Sequence, residues 1–433
     1  MKKTIALLLT FVLVISLFAG CGSKSETPAA TNAAAGSSSS NGPVTIEFWH
    51  SMGSSTGELV QAIVDDFNAS QDEVIVECIY QGDYTTAGTK LQAAVSGGNV
   101  PQVAQIEITR VGMYAAADML MDLKPFADAD SEFNVEDMYA GVMDFSWYDG
   151  KLVSLPNGRS VPVMYYNVDA LKAAGFDHAP ETWEELRAAS AAVTGDGTYG
   201  FGCPLGDSWY YLAMMLTAGG QIYNEEGNNI GFYGEAGTKP LQLWLDMIAD
   251  GSLYLPEGDD YASNAALRNS FMAGVCNITM QSSAQYRSLS DNSNFEVGVA
   301  YIPKDVTYAA IPGGSNLVAF EGMTDAEAQA TWKFMKYMCS GEVAGRYAAG
   351  TGYLPTSDAA LNSEIYQEKL KEYPYLDIAV KQLDYYAKMP FDEAYTEIKD
   401  NVVGKYVQEC IIGGMSPEDA VQHMYDEAGS FYN

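Results

Sequence analysis

Four aromatic residues, Trp49, Tyr84, Trp209 and Tyr353, fall at loop ends, where strands and helices stop. Such a ring offers a flat apolar face to the C–H face of a pyranose, while its edge leaves the hydroxyls to polar neighbours. Those neighbours are at hand: His50 beside Trp49, Glu107 and Arg110 after a third strand, and Arg159 and Ser160 in a polar elbow. Ser282 stands at a strand's carboxyl end and Gly314 in a backbone-exposing Pro312-Gly313-Gly314-Ser315 turn. This is equipment for non-covalent capture of a small polar molecule. The chain has no HExxH or P-loop motif, and its only histidines are His50, His178 and His423. Asp128-Ala129-Asp130-Ser131-Glu132 lacks the glycine of a calcium loop and reads as a solvated helix cap. No metal or cofactor is expected. A carboxylate pair for glycoside hydrolysis is compatible with so acidic a chain, which makes a secreted glycoside hydrolase or lyase the rival reading. A surface adhesion protein is the third, and it would need an exposed aromatic patch and no closing cleft.

The elements that carry these residues follow from periodicity. Val44, Ile46 and Phe48 alternate with polar residues, Val74 to Tyr80 and Val103 to Ile108 read as two further strands, and helices are expected between them. The first helix is expected to open on a capping box of Ser55 and Glu58. Strand, helix, strand, helix, strand implies a parallel sheet covered on both faces, with ligands beyond the carboxyl ends of its strands. That rule points to Trp49–Thr56, to Asp83 and Tyr84, and to Glu107–Arg110.

The stretch from Trp147 to Asn167 reads as a turn at Asp149-Gly150, a strand stopped by Pro156, an elbow of Asn157, Gly158, Arg159 and Ser160, and a strand restarting at Val161. A chain of 433 residues exceeds one ordinary core, so the elbow is taken as the passage between two lobes. Further crossings are expected near Val299 and Arg346. The division is then 44–158 with 300–345 for lobe one, and 159–299 with 346–433 for lobe two, whose C-terminal helices pack on it. The expected fold class is α/β, each lobe a mostly parallel sheet flanked by helices. Three crossings leave a cleft that suits capture by hinge closure.

At the start, Lys2 and Lys3, the apolar run Ile5–Phe18 and Ala19-Gly20 form a signal peptide over 1–20. Cys21 then becomes a lipidated first residue, and 21–43 is a tether rich in Ser, Ala and Gly. Membrane attachment is through that anchor only. The net charge of −33 argues against nucleic acid as a partner. Cys78, Cys203, Cys276, Cys339 and Cys410 have no CxxC pairing and read as buried thiols.

Taken in order, several motifs resemble one family, the sugar-type extracellular solute-binding proteins of bacterial ABC importers, the maltose-binding-protein-like group. They are the Phe18-Ala19-Gly20-Cys21 lipobox, Tyr148-Asp149-Gly150-Lys151 with Leu155-Pro156, and Val163-Met164-Tyr165-Tyr166-Asn167. Thr182-Trp183-Glu184-Glu185, Gly313-Gly314-Ser315 and Thr351-Gly352-Tyr353-Leu354-Pro355 complete them. Phe48-Trp49-His50-Ser51-Met52 is most similar to the glycerol-3-phosphate-binding branch. The resemblance implies ligand contacts at Tyr84, Ser160, Ser282, Gly314 and Tyr353. The branch's glutamate aligns with Ile108, one position from Glu107, and its arginine aligns with Lys399, which lacks the bidentate fork. Arg110 and Arg159 are expected to compensate. The implied partners are a small polar carbohydrate-class ligand and an ABC permease, with the protein acting as a monomer. Glycerol-3-phosphate or a glycerophosphodiester is the first ligand expected, and a sugar or oligosaccharide the next.

Overall fold

Strand β1 (Val44–His50) turns Ile46 and Phe48 into a core and leaves Thr45 exposed, as the alternation expects. The computed structural model describes residues 42–258 and 263–432. The signal segment, Cys21 and most of the tether lie outside them. β1 pairs in parallel with β2 (Val74–Tyr80) and β3 (Val103–Glu107). The hairpin of β4 (Trp147–Tyr148) and β5 (Lys151–Leu152) follows, its turn made by Asp149 at φ 47° and Gly150 at φ 76°, the two positive angles such a tight turn needs.

Next come β6 (Leu155–Ser160), β7 (Pro162–Asn167), β8 (Tyr199–Gly202), β9 (Cys276–Ser282), β10 (Val297–Ala300) and β11 (Gly313–Ala319). They complete two sheets, β2-β1-β3-β11-β6 and β10-β7-β9-β8. The first is buried on both faces at β3, β11 and β6. Phe48, Leu317 and Ala319 meet the helices Ser54–Ala69 and Asp325–Met338, with Phe334 edge-on to both Phe48 and Phe67. Ala104, Ile106 and Val318 pack on the other side with Leu91 and Tyr114. The second sheet is covered by a larger core that includes the helices Ser208–Thr217, Glu235–Ala249, Gly404–Ile411 and Pro417–Gly429.

Several expectations change. The elbow is no loop: β6 runs unbroken to Ser160, and a single residue, Val161, separates it from β7. Pro156 is tolerated because β6 is the edge strand, and the register skips Asn157 as a bulge opposite Ser315 and Asn316. The second sheet is mixed, only β8 and β9 being parallel. β7 leaves the crossing while β9 and β10 return toward it, so both must run opposite to β7. The Ser55–Glu58 box does not form; the first helix starts at Ser54 after Gly53, whose carbonyl accepts from Thr56 Oγ1 at 2.6 Å. The Thr182 cap does form, its hydroxyl accepting from Glu185 N at 3.2 Å.

Arg346 lies inside the helix Gly341–Thr351, which packs on Ser54–Ala69 and β6, so no crossing occurs there. The helices Asp358–Leu361 and Glu364–Glu372 pack on that same helix rather than on the second sheet. The chain reaches β10 only with Leu376–Lys381. Cys203, Cys276, Cys339 and Cys410 are buried free thiols, and Cys78 is half-buried.

Candidate functional site

The carboxyl ends of β1, β2 and β3 all point the same way, because β1 is parallel to both of the others, and Glu107 stands opposite Ser315, near the crossing. Glu107 is the last strand residue. Ile108 begins a short 3-10 turn and is fully buried, so the neighbouring carboxylate, Glu107, is the group left at the strand end, its side chain 20 % exposed. Its Oε2 accepts from Thr109 Oγ1 and lies 3.9 Å from Arg110 Nε.

Facing it from the other lobe is a π-helical segment, Ile398–Val403, a widened turn of the kind that often marks functional positions. It carries Lys399 and Asp400. Asp400 bridges two cations: Oδ2 lies 3.4 Å from Arg110 Nη2 and Oδ1 accepts from Lys399 Nζ. Burial would drive the Lys399 ammonium down, but Glu107, Asp400 and more distant Asp207 together hold its pKa above the usual lysine value. The set of Glu107, Arg110, Lys399 and Asp400 is charge-balanced and spans the two lobes. A further bond joins them, Thr396 Oγ1 donating to Thr109 O at 2.9 Å.

Aromatic residues wall this set. Tyr84 opens the helix Tyr84–Gly97, capped by Asp83, and its hydroxyl sits 3.0 Å from the Tyr353 hydroxyl. Tyr353 follows Gly352, whose φ of 80° ends the helix Gly341–Thr351; a side chain there would meet the Ala284 carbonyl. The Tyr353 ring stacks on Tyr347, which is held by buried Gln105: Nε2 donates to Tyr347 OH at 2.8 Å and to Ser315 Oγ at 3.1 Å, while Oε1 accepts from Ser51 N. Burial pushes the hydroxyls of Tyr84, Tyr347 and Tyr353 well clear of ionisation. Trp209, at the start of its helix, donates from its indole to Pro312 O at 3.3 Å and covers Gly313, where an added Cβ would strike the ring.

A family model described as bacterial extracellular solute-binding protein matches residues 62–374. The chain belongs to that family. Among relatives of this solute-binding protein, the sn-glycerol-3-phosphate-binding periplasmic protein UgpB of Yersinia pseudotuberculosis is 30% identical over 78% of this chain and 80% of its own length. The protein of the same name from an Escherichia coli strain is 27% identical over 80% and 82%. By fold, the substrate-binding protein Lmo0181 of Listeria monocytogenes, solved with cycloalternan, superposes with a TM-score of 0.81 at 20% identity, covering 90% of this chain and 99% of that one. UgpB of Mycobacterium tuberculosis, solved with glycerophosphocholine, gives 0.79 at 19%, over 90% and 98%. The two-lobed fold is thereby shared.

The solute-binding protein brings Tyr84, Glu107, Arg110, Tyr353 and Lys399 into one neighbourhood, with Trp49 beside it, its indole donating to Glu47 at 3.0 Å. Ser160, Trp209, Ser282 and Gly314 gather at the crossing instead. Ser160 is buried against Gly313, Ser282 Oγ accepts from Ala284 N at 3.3 Å, and Gly314, at φ 110°, leaves no room for a Cβ against Gly158 O. His50 is 5 % exposed, its Nδ1 accepting from Met52 N, and burial lowers its pKa to about 4, so it is neutral.

Arg159 is a correction. It is fully buried, donating to the carbonyls of Gly158, Ser315 and Val142, and so stands outside the cleft rim. Sequence reasoning missed Asp400, Asp207 and Tyr395. Tyr395 OH is buried, lacks a hydrogen-bond partner among the described residues, and lies close enough to Glu107 and Asp400 to feel their charge. Of the three, only Asp207, a capping acid just before Ser208-Trp209, carried a local signal.

Proposed function

We propose that this solute-binding protein captures a small hydroxyl-bearing solute between its lobes and presents the closed form to an ABC permease. Its lobes are residues 44–160 with 313–372, and 162–300 with 376–432. It acts as a monomer, held to the outer face of the membrane by lipid on Cys21 after removal of residues 1–20. Among the described residues no helix is long and apolar enough to cross a membrane, and no group of His, Cys, Asp and Glu is set to hold a metal ion. It works without catalysis: its named relatives are transport binding proteins.

Glycerol-3-phosphate or a glycerophosphodiester is the favoured solute. One observation carries this: Arg110 and Lys399, from opposite lobes, converge on a single shared acid, Asp400, beside the Tyr84–Tyr353 pair. A phosphate that replaces Asp400 between the two cations gains charge-assisted hydrogen bonds from both lobes at once, which favours closure. The named function of the relatives supports the same solute. A neutral sugar is the second reading, favoured because the four charges already cancel.

Calorimetry with sn-glycerol-3-phosphate, glycerophosphocholine and a sugar panel decides between them. Under the phosphate reading Lys399→Ala weakens binding by about tenfold or more, and added salt weakens it further. Tight binding of uncharged sugars alone rejects it. Release of product from a polysaccharide would instead favour the hydrolase or lyase.

A further inference from the structure

Beneath the lobe-one wall of the cleft, past the ends of β1, β2 and β3, lies a cavity that shares Tyr84, Glu107 and Arg110 with the cleft. Its other walls include apolar Ala87, Leu91 and Ala104. Three of its lining residues carry a polar atom with no hydrogen-bond partner among the described residues: Ser51 Oγ, Tyr114 OH and Arg110 Nε. Ser51 is 8 % exposed and Tyr114 3 %, so bulk water does not serve them. Buried polar groups without partners are uncommon, and two of them, Ser51 Oγ and Tyr114 OH, on residues that line one hollow beside Arg110 Nε, whose nearest acid oxygen is Glu107 Oε2 at 3.9 Å, mark a place made for a polar guest. The free space admits roughly one water-sized group.

We propose that this cavity is a subsite that takes one terminal hydroxyl of the bound solute. The methylene stays at the mouth, Arg110 Nε–H donates to the oxygen, and the solute O–H donates to the Tyr114 oxygen beside Ser51. This rests on the reading of the cleft given above and narrows its solute class to molecules with a free hydroxymethyl end, such as the glycerol end of a glycerophosphodiester or C6 of a hexose. A phosphoryl group is too bulky for the hollow and stays with Lys399 in the open cleft.

The test is titration of the full chain with sn-glycerol-3-phosphate against propane-1,2-diol phosphate, and with glucose against 6-deoxyglucose. In whichever pair binds, the hydroxymethyl compound should bind about tenfold tighter or better, since a site that hydrogen-bonds a hydroxyl rejects the analogue lacking it. Tyr114→Phe should cost the parent at least about threefold more than the deoxy compound. Equal affinities within the pair overturn the subsite. Absence of binding in both pairs and across the glycerophosphodiester and sugar panel overturns the cleft reading instead, and the hollow is then judged by a crystal structure of the protein without solute. An ordered water held by Ser51 Oγ, Tyr114 OH and Arg110 Nε supports the subsite, and a dry hollow refutes it.

Discussion

Arg110 and Arg159 were both expected at the cleft edge, and they end in opposite surroundings. Arg159 sits in β6 with no carboxylate within ion-pairing distance among the described residues; its donors go to three backbone carbonyls and its guanidinium lies 6.0 Å from the centre of the Phe145 ring. Arg110 is 19 % exposed and shares two carboxylates, Glu107 and Asp400, that belong to different lobes. A cation tied to backbone has no alternative partner and serves the fold. One tied to side chains can exchange them for a ligand.

Substitutions should separate the two. Arg159→Met strands the carbonyls of Val142 and Ser315 at the crossing and is expected to cost about 3–5 kcal/mol in urea unfolding. A loss under about 1 kcal/mol would show that the buried guanidinium is dispensable.

His50 sharpens the contrast by pH. Its folded pKa, about 4 against 6.5, means the unfolded chain binds the extra proton first, so stability is full above about pH 6.5 and falls as pH drops toward 4. The loss is at most roughly 3 kcal/mol. His50→Gln should flatten that part of the pH–stability curve, and an unchanged slope would contradict the burial of the ring. Arg110→Ala is the smallest expected effect on stability, within about 1 kcal/mol, yet it should weaken solute binding measurably in calorimetry. Were it to unfold the protein as Arg159→Met does, the distinction would collapse.

The first sheet was legible because β1, β2 and β3 alternate or carry apolar runs of ordinary strand length, and the rule of strand ends led from them to Tyr84, Glu107 and Arg110. Arg159 was not, because Pro156 and Gly158 read as breakers. Only the register shows Gly314 opposite Arg159, giving up its side chain so the two strands can close over it. Asp400 and Tyr395 were hidden for another reason: among 56 acids and 29 tyrosines nothing local singles them out, and their role arises from a packing partner nearly 300 residues away. The third crossing was expected near Arg346, whereas the helix that holds Arg346 packs on Ser54–Ala69 and β6, a long-range contact that nothing local to Gly341–Thr351 announces.

Pro156 has one more consequence. It leaves the outer flank of the five-stranded sheet short of an amide donor, and Leu354 N already claims the Arg159 carbonyl on that flank at 2.6 Å. A stray strand from another molecule therefore finds no continuous ladder to extend there, which guards the chain against polymerising through this side.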